Sequence, residues 1–293
     1  MMMRERRPHS GQNGFALVLV LWLVALLTIV AASFSTHSKV ESRLTGNAID
    51  ALHSRLLAES GVNRAILELM VKDASQRWSS NGQIHQLESD LGKVNISIRN
   101  SSGLLDLNRA SRGHLVNLFA LITEGIQDRE LLADRLVDWR DGDDLRHLNG
   151  AEDADYRSAG HPYTTAGRDF VSIDELAYVL GFDAVKVERL RPYITLYSNT
   201  HNVDLRYAPE RLVFLLKGKE ATGEVLAGVI DHIDSDLADL EMEEDDGQAV
   251  GSAYRIQVEA SSSQGARTQL LVDIDLRGQD KTPYSVRSWH DSL

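Results

Sequence analysis

Residues 15–34 read FALVLVLWLVALLTIVAASF, a run of 20 residues without a charge, and no other stretch constrains the fold of this chain so strongly. As a helix rising 1.5 Å per residue it spans about 30 Å, the thickness of the hydrocarbon core of a bilayer. It can therefore cross a membrane. Ahead of it stand Arg4, Arg6 and Arg7 against a single Glu5. Positive charge before an apolar span holds that end in the cytoplasm, so the chain after Phe34 is expected on the far side of the membrane. The competing reading is an ordinary secretory signal peptide, whose apolar part runs only about 7–15 residues and ends at small residues. Ala31-Ala32-Ser33 would supply such an end. The length of the run favours an anchor, as does the charged, helix-compatible stretch that follows it with no Gly or Pro until Gly46.

Beyond the span there is chain enough for a full core: 293 residues in all, 43% hydrophobic and 25% charged, a globular composition. The absence of cysteine removes disulfides, thiolate metal sites and cysteine nucleophiles together. A net charge of -12 opposes a phosphate backbone, since nucleic-acid affinity comes largely from Lys and Arg displacing counterions. No nucleic-acid partner is expected.

Periodicity predicts a helix that continues past the span to about residue 72, with Val40, Leu44, Ala48, Leu52 and Leu56 as one apolar stripe and Val62, Ile66 and Leu69 as a second. The offset between the stripes predicts a bend near Glu59-Ser60-Gly61 and sets the second stripe against a sheet. Residues 78–82 read as loop, and 93–99 alternate polar and apolar as a half-buried strand does. Further strands are expected at 193–197, 254–259, 268–276 and 284–289, with a hairpin loop at 261–265. Helices are expected at 112–122, 128–139 and 172–180, and again over 202–240. The fold class is α+β: a long N-terminal helix packed on an antiparallel sheet, with a large helical domain inserted between strands. The acidic run at 241–246 reads as a solvated loop rather than a metal site.

The segment DWRDGDD at 138–144 puts four carboxylates into seven residues. Such crowding raises proton affinity unless a cation intervenes, and calcium accepts six to eight oxygens. Gly142 permits a sharp turn, Glu152 can close the shell as a bidentate ligand, and Asp153 and Asp155 stand in reserve. An exposed acidic loop paired with Arg140, Arg146 and Arg157 explains the same spacing equally well. The alternating ligand ladder of an EF-hand is absent. So are His-Glu-x-x-His, Gly-x-Ser-x-Gly and phosphate-loop motifs, and His85, His147 and His161 stand apart in sequence, so catalysis is not expected.

Gly14-Phe15, placed between the basic leader and the apolar run, resembles the prepilin peptidase site of type IV pilins and pseudopilins. The resemblance implies cleavage after Gly14, methylation of the new end, and a helix that serves first as membrane anchor and then as fibre core. Most such subunits carry Glu at the fifth mature position to neutralise a neighbour's N-terminal ammonium; here that position is Leu19. An unpaired buried charge is costly, so a subunit lacking the Glu suits the end of a stack.

GLLDLNRAS at 103–111, DWRDGDD, NGAEDADY at 149–156, SIDELAYVLGF at 172–182, LRPYIT at 190–195 and the closing YSVRSWHD together resemble the protein K family of type II secretion systems, the large minor pseudopilins of the pseudopilus tip. Two departures stand out: His201-Asn202-Val203-Asp204 where the family opens its second helical subdomain with an Asn-rich turn, and Gly167 in place of Asn.

The resemblance implies a leader at 1–14, a membrane segment at 15–35 and the first part of a pilin-like domain at 36–103. It further implies an inserted SAM-like helical domain at 104–192, then a second helical subdomain and the remaining strands at 193–293. It implies structural calcium, with Asp138, Asp141, Asp143, Asp144, Glu152 and Asp155 as ligands. The implied partners are other minor pseudopilins, the prepilin peptidase, the inner-membrane assembly platform, secreted substrates and the outer-membrane channel. Two alternatives remain: a minor pilin of a type IV pilus, and a nucleic-acid-binding envelope protein, because 105–110 and 175–182 resemble helix-hairpin-helix units. Asp183 beside Gly181 and the overall acidity weigh against the latter.

Overall fold

The computed structural model describes residues 13–73, 76–217, 251–277 and 282–292. The first helix, α1, runs Asn13–Leu69; at 57 residues it is about 85 Å long. Its apolar side chains face two different surroundings. Leu57, Ala58, Val62, Ala65, Ile66 and Leu69 are buried, whereas Val40, Leu44, Leu52 and Leu56 are each more than half exposed. The second predicted stripe is thus the packed one, and the first is left open. A set stepping strictly by four drifts about 40° around the helix at each step, while spacings that alternate three and four stay on one face. The predicted bend does not divide α1, which continues as one element through Gly61. Glycine stands there because a Cβ would lie 2.8 Å from Val258 and 2.9 Å from Val94, so its absence lets the helix approach the sheet closely.

Seven strands follow among the described residues: β1 (Asn81–Ser89), β2 (Gly92–Asn100), β3 (Leu105–Asp106), β4 (Ile194–Thr195), β5 (Ala253–Ser262), β6 (Arg267–Asp275) and β7 (Ser285–Ser292). Five of them form an antiparallel sheet in the order β1-β2-β5-β6-β7. Val94, Ile96 and Ile98 of β2, Ile256 and Val258 of β5, and Leu270, Val272 and Ile274 of β6 alternate onto one face and make a core with α1. The chain leaves the sheet after β2 and returns to it at β5, and between them it builds α2 (Arg112–Leu118), α3 (Ile126–Arg140), α4 (Asp153–Ser158), α5 (Ala184–Leu190) and α6 (Glu210–Lys217). These helices have a core of their own, with Leu115, Phe119, Leu136, Trp139, Tyr156, Leu176 and Leu190 at its centre. The expected α+β arrangement is therefore present.

Several elements differ from expectation. The strand expected at 193–197 shrinks to β4, which lies outside the main sheet and pairs in parallel with β3, Leu105 opposite Ile194. That pair ties the entry of the helical segment to its exit. The helix expected at 172–180 is a 3-10 turn over Ile173–Tyr178. Strand β1 was not anticipated at all: it is an edge strand, wet on nearly its whole length, so its residues carry no alternation. Of the helix expected over 202–240, residues 202–209 form turns instead and α6 is helical as expected, while 218–240 and the acidic run at 241–246 lie outside the described residues.

At the end of β6, buried Asp275 accepts hydrogen bonds from Ser252 Oγ at 2.8 Å, the Arg277 backbone N–H at 2.9 Å and Arg287 Nη2 at 3.0 Å. Burial alone would raise its pKa; these donors together outweigh burial and hold the carboxyl well below the ordinary range. A depressed carboxyl contributes stability that is fully present above its unfolded value near 4 and is lost as pH falls through the folded value. The urea midpoint should accordingly drop on acidification below about pH 4, and Asp275→Asn should be less stable at neutral pH with a shallower acid slope. Identical pH profiles for the two proteins would refute this assignment.

Candidate metal centre

Helix α3 buries Leu132, Ala133, Leu136 and Trp139 against the helical core, and on the neighbouring stripe it also buries two carboxylates one turn apart, Asp134 and Asp138. Two buried acids at that spacing are costly unless each finds donors. The loop after α3 supplies them by folding back along the helix. Asp134 is held by the Arg112 guanidinium, which begins α2, and by Asn149 through both its backbone N–H at 3.3 Å and its amide at 3.2 Å. Asp138, wholly buried, receives the His147 backbone N–H at 3.2 Å and the His147 ring Nδ1 at 2.5 Å. Gly150 closes the turn by donating its N–H to His147 O at 3.0 Å. A Cβ on Gly150 would come within 1.8 Å of Asp138 Oδ2, so only glycine fits.

Further acids gather round this pair with oxygens left unpaired. Asp141, the residue that ends α3, keeps Oδ1 buried with no hydrogen-bond partner, and Glu152 keeps Oε1 in the same condition. Burial first, then Asp138 and Asp143, raise the Asp141 carboxyl. Burial, reinforced by Asp138, Asp141, Asp144 and Asp143, pushes Glu152 up to about 7. The hydrogen bond to Asp138 raises His147 against the opposing effect of burial. One donor atom from each of Asp138, Asp141 and His147 lies within 4.8 Å of the others.

The predicted ligands therefore separate. Asp138 and Asp141 converge, and Glu152 stands within electrostatic reach of both. Asp143 is exposed and accepts the Leu145 N–H at 2.9 Å, and Asp144 is exposed at the rim. Asp155 faces elsewhere, capping α4 by accepting the Glu152 N–H at 3.0 Å and pairing with Arg146 at 3.2 Å. Asp153 binds Thr165 and Arg157. Of the arginines considered as partners for the acidic loop, Arg140 turns away to the carbonyls of Leu107 and Ala110. Gly167, with φ +56, donates its N–H to Trp139 O at 3.1 Å, and a Cβ there would lie 3.6 Å from the Asp141 carbonyl oxygen. Sequence reasoning set His147 aside as a loop histidine; the signal for it was its place nine residues after a buried Asp, visible only once that Asp was known to be buried.

The crowded carboxylates and the two orphaned buried oxygens suit a divalent cation. Elsewhere, Gly14 and Phe15 lie in the first turns of α1 and Leu19 one turn later, on a helix long and apolar enough to cross a membrane. The glycine at 150 gives the centre a direct test. Gly150→Ala should displace the Asp138 carboxylate and lower stability by about 1–3 kcal/mol, the usual cost of overpacking, measured by chemical denaturation of the metal-free protein. An unchanged midpoint would show that the loop does not pack on Asp138.

A family model described as type II secretion system (T2SS), protein K, matches residues 94–199, from β2 through the acidic loop to just past β4. The chain is 28% identical to the type II secretion system protein K of Pseudomonas aeruginosa over 93% of its own length and 91% of that protein. It is 26% identical to that of Klebsiella pneumoniae over 71% of its length and 70% of the relative. In fold it is similar to a chain in the crystal structure of the GspK-GspI-GspJ complex from the type 2 secretion system of enterotoxigenic Escherichia coli, with a TM-score of 0.54 at 17% identity, covering 86% of this chain and 99% of that one. These likenesses support reading the chain as a minor pseudopilin of the type II secretion protein K kind.

Proposed function

We propose that this pseudopilin primes and caps the pseudopilus tip, anchored by residues 15–35 in the inner membrane with its bulk in the periplasm, and acts through surfaces rather than by catalysis. The observation that carries the reading is the open stripe on α1. A hydrocarbon core about 30 Å thick covers residues 15–34, and Lys39, Glu41 and Arg43 mark the exit from lipid. Val40, Leu44, Leu52 and Leu56 then stand about 9–33 Å beyond the bilayer, yet remain 51–62% exposed. Lipid cannot cover them there, so another protein must. Other minor pseudopilins are the natural partners: the structural neighbour is a complex of three type 2 secretion chains, and side chains that wind round a helix at four-residue spacing can be covered by helices packed on more than one side of it.

Leu19 supports the end position. A subunit stacked in mid-fibre would meet a neighbour's N-terminal ammonium, and Leu19 has no charge to offer it. The helical segment, tied off by β3 and β4 beside the sheet, is free to project as a cap towards secreted substrates and the outer-membrane channel. Calcium at Asp138, Asp141 and Glu152 would pin the loop after α3, with Asp143 and Asp144 at its rim; the two orphaned oxygens and the unrelieved repulsion favour it.

Co-expressed with prepilin peptidase and the other minor pseudopilins, the chain should lose residues 1–14 by mass and co-purify with them. Leu44→Asp combined with Leu52→Asp should be processed normally and lose co-purification; retained association would sink the partner assignment, and cleavage near Ser33 the anchor. For the ion, the melting temperature of the full chain should rise on adding Ca²⁺, with a gain near 2.7 kcal/mol at about a hundredfold excess over Kd. Asp141→Ala should abolish the rise, and equal melting with and without Ca²⁺ would discard the site.

A further inference from the structure

We propose that the groove on the sheet face away from α1 binds an extended peptide segment through an aspartate or glutamate carboxylate, with Arg99 as its counter-ion. This is a second binding surface, apart from the open stripe on α1 and from the loop after α3.

Strand alternation sends Val94, Ile96 and Ile98 of β2 into the core with α1 and leaves Asn95, Ser97 and Arg99 on the opposite face. Opposite Arg99 and Ser97 stand Arg255 and Gln257 of β5. Over one end of this face rises the helical segment: Pro192 and Tyr193, in the turn after α5, and Pro209, ahead of α6, help to wall a groove of about 440 Å³.

Three arginines line the groove, and two are already answered. Arg255 has Asp273 and two carbonyls, and Arg191 has Glu188 at 2.6 Å and Asp174 at 2.5 Å. Arg99 has no carboxylate partner among the described residues; its hydrogen bond runs from Nη1 to the Tyr207 carbonyl. Burial first, then the nearby Arg255, lower its pKa, so its charge is held at a cost that an anion would relieve. The N–H groups of Nε and Nη2 are left to make the paired, parallel contacts that a carboxylate accepts.

The guanidinium is also fixed in place. A Cβ on Gly82, where φ is +95, would lie 1.9 Å from Arg99 Nη2, so the side chain rests directly on backbone. The Tyr207 carbonyl that holds Nη1 is itself pressed against Gly103, where a Cβ would lie 2.3 Å from it. A cation positioned before its ligand arrives loses little freedom on binding. Glu188 and Glu259 line the same groove and oppose a dianion such as phosphate more than a single carboxylate. The amides of Asn95 and Gln257 and the hydroxyl of Ser97 supply donors and acceptors of the kind that a peptide backbone needs. A carboxylate carried on an extended peptide therefore fits both the charge and the floor.

Full chain in detergent should be titrated, by fluorescence anisotropy, into a short labelled threonine-rich peptide with one central aspartate and into its asparagine counterpart. The aspartate peptide should bind about tenfold more tightly, the margin of a hydrogen-bonded charge pair. Arg99→Gln should bring the two peptides to the same affinity. Leu271→Trp fills the groove from its floor and leaves Arg99 in place, so it should weaken both peptides and reads the site even if the Arg99 variant folds poorly. An aspartate preference that survives both substitutions would place the carboxylate elsewhere and overturn the proposal. Equal affinity of the two peptides for the wild type, or binding of neither, would overturn it too. Inorganic phosphate that displaces the aspartate peptide at equal concentration would make this a small-anion site and overturn the peptide assignment.

Discussion

Arg255 sits in the middle of β5 on the sheet face away from α1, 4% exposed, with its guanidinium paired to Asp273 of β6 at 2.7 Å. Its remaining N–H groups donate to the carbonyls of Arg191 at 2.7 Å and Ile194 at 2.8 Å, where the helical segment returns to the sheet. A buried charge is tolerated only when it is paired and fully hydrogen-bonded. Here the requirement is met only if the sheet and the end of the helical segment are both in place. The Leu105–Ile194 and Asp106–Thr195 pairing holds the start of the segment beside its end. Two cores that share few apolar contacts are thereby joined by polar groups whose separation would strand a charge.

This arrangement lets one chain carry two specialised parts. The sheet and the last three turns of α1 make a core of the usual kind, in which helix and strands exclude water from one another. Before Leu57 the chain itself reaches α1 only through polar contacts, as where Asp50 accepts the Ala266 N–H and Ser54 meets Thr268; the apolar side chains of that stretch are left for the lipid and the partner helices of the proposed assembly. A helix polar enough to stand alone in water would have lost both contacts. The exposed leucines are unstable features of an isolated subunit and sensible ones in an assembly.

The acidic loop follows from a similar tension. Helix α3 needs Trp139 and Leu136 inside, and the angular spacing of a helix then carries Asp134 and Asp138 inside as well. Their burial forces the loop to return with donors, and Asn149 and His147 are those donors. What remains over, at Asp141 and Glu152, is negative charge with orphaned oxygens. A group of this sort is held at some cost in stability, and such costs are characteristic of sites that wait for a ligand.

Much of this was legible in the amino-acid sequence. The uncharged run, the strands from 93 to 99, 254 to 259 and 268 to 276, and the crowding of acids after residue 138 are local patterns, and local patterns report period and charge directly. The family motifs added the order of the parts. Tertiary structure alone decided the rest. It decided which α1 stripe would be covered, because that depends on where the sheet lies. It placed β1, whose two wet faces leave no periodic trace. It withdrew β4 from the sheet to form a tie with β3. At the acidic loop it turned Asp155 to a helix cap and brought in His147, since spacing counts carboxylates but cannot say which way a folded-back loop will aim them.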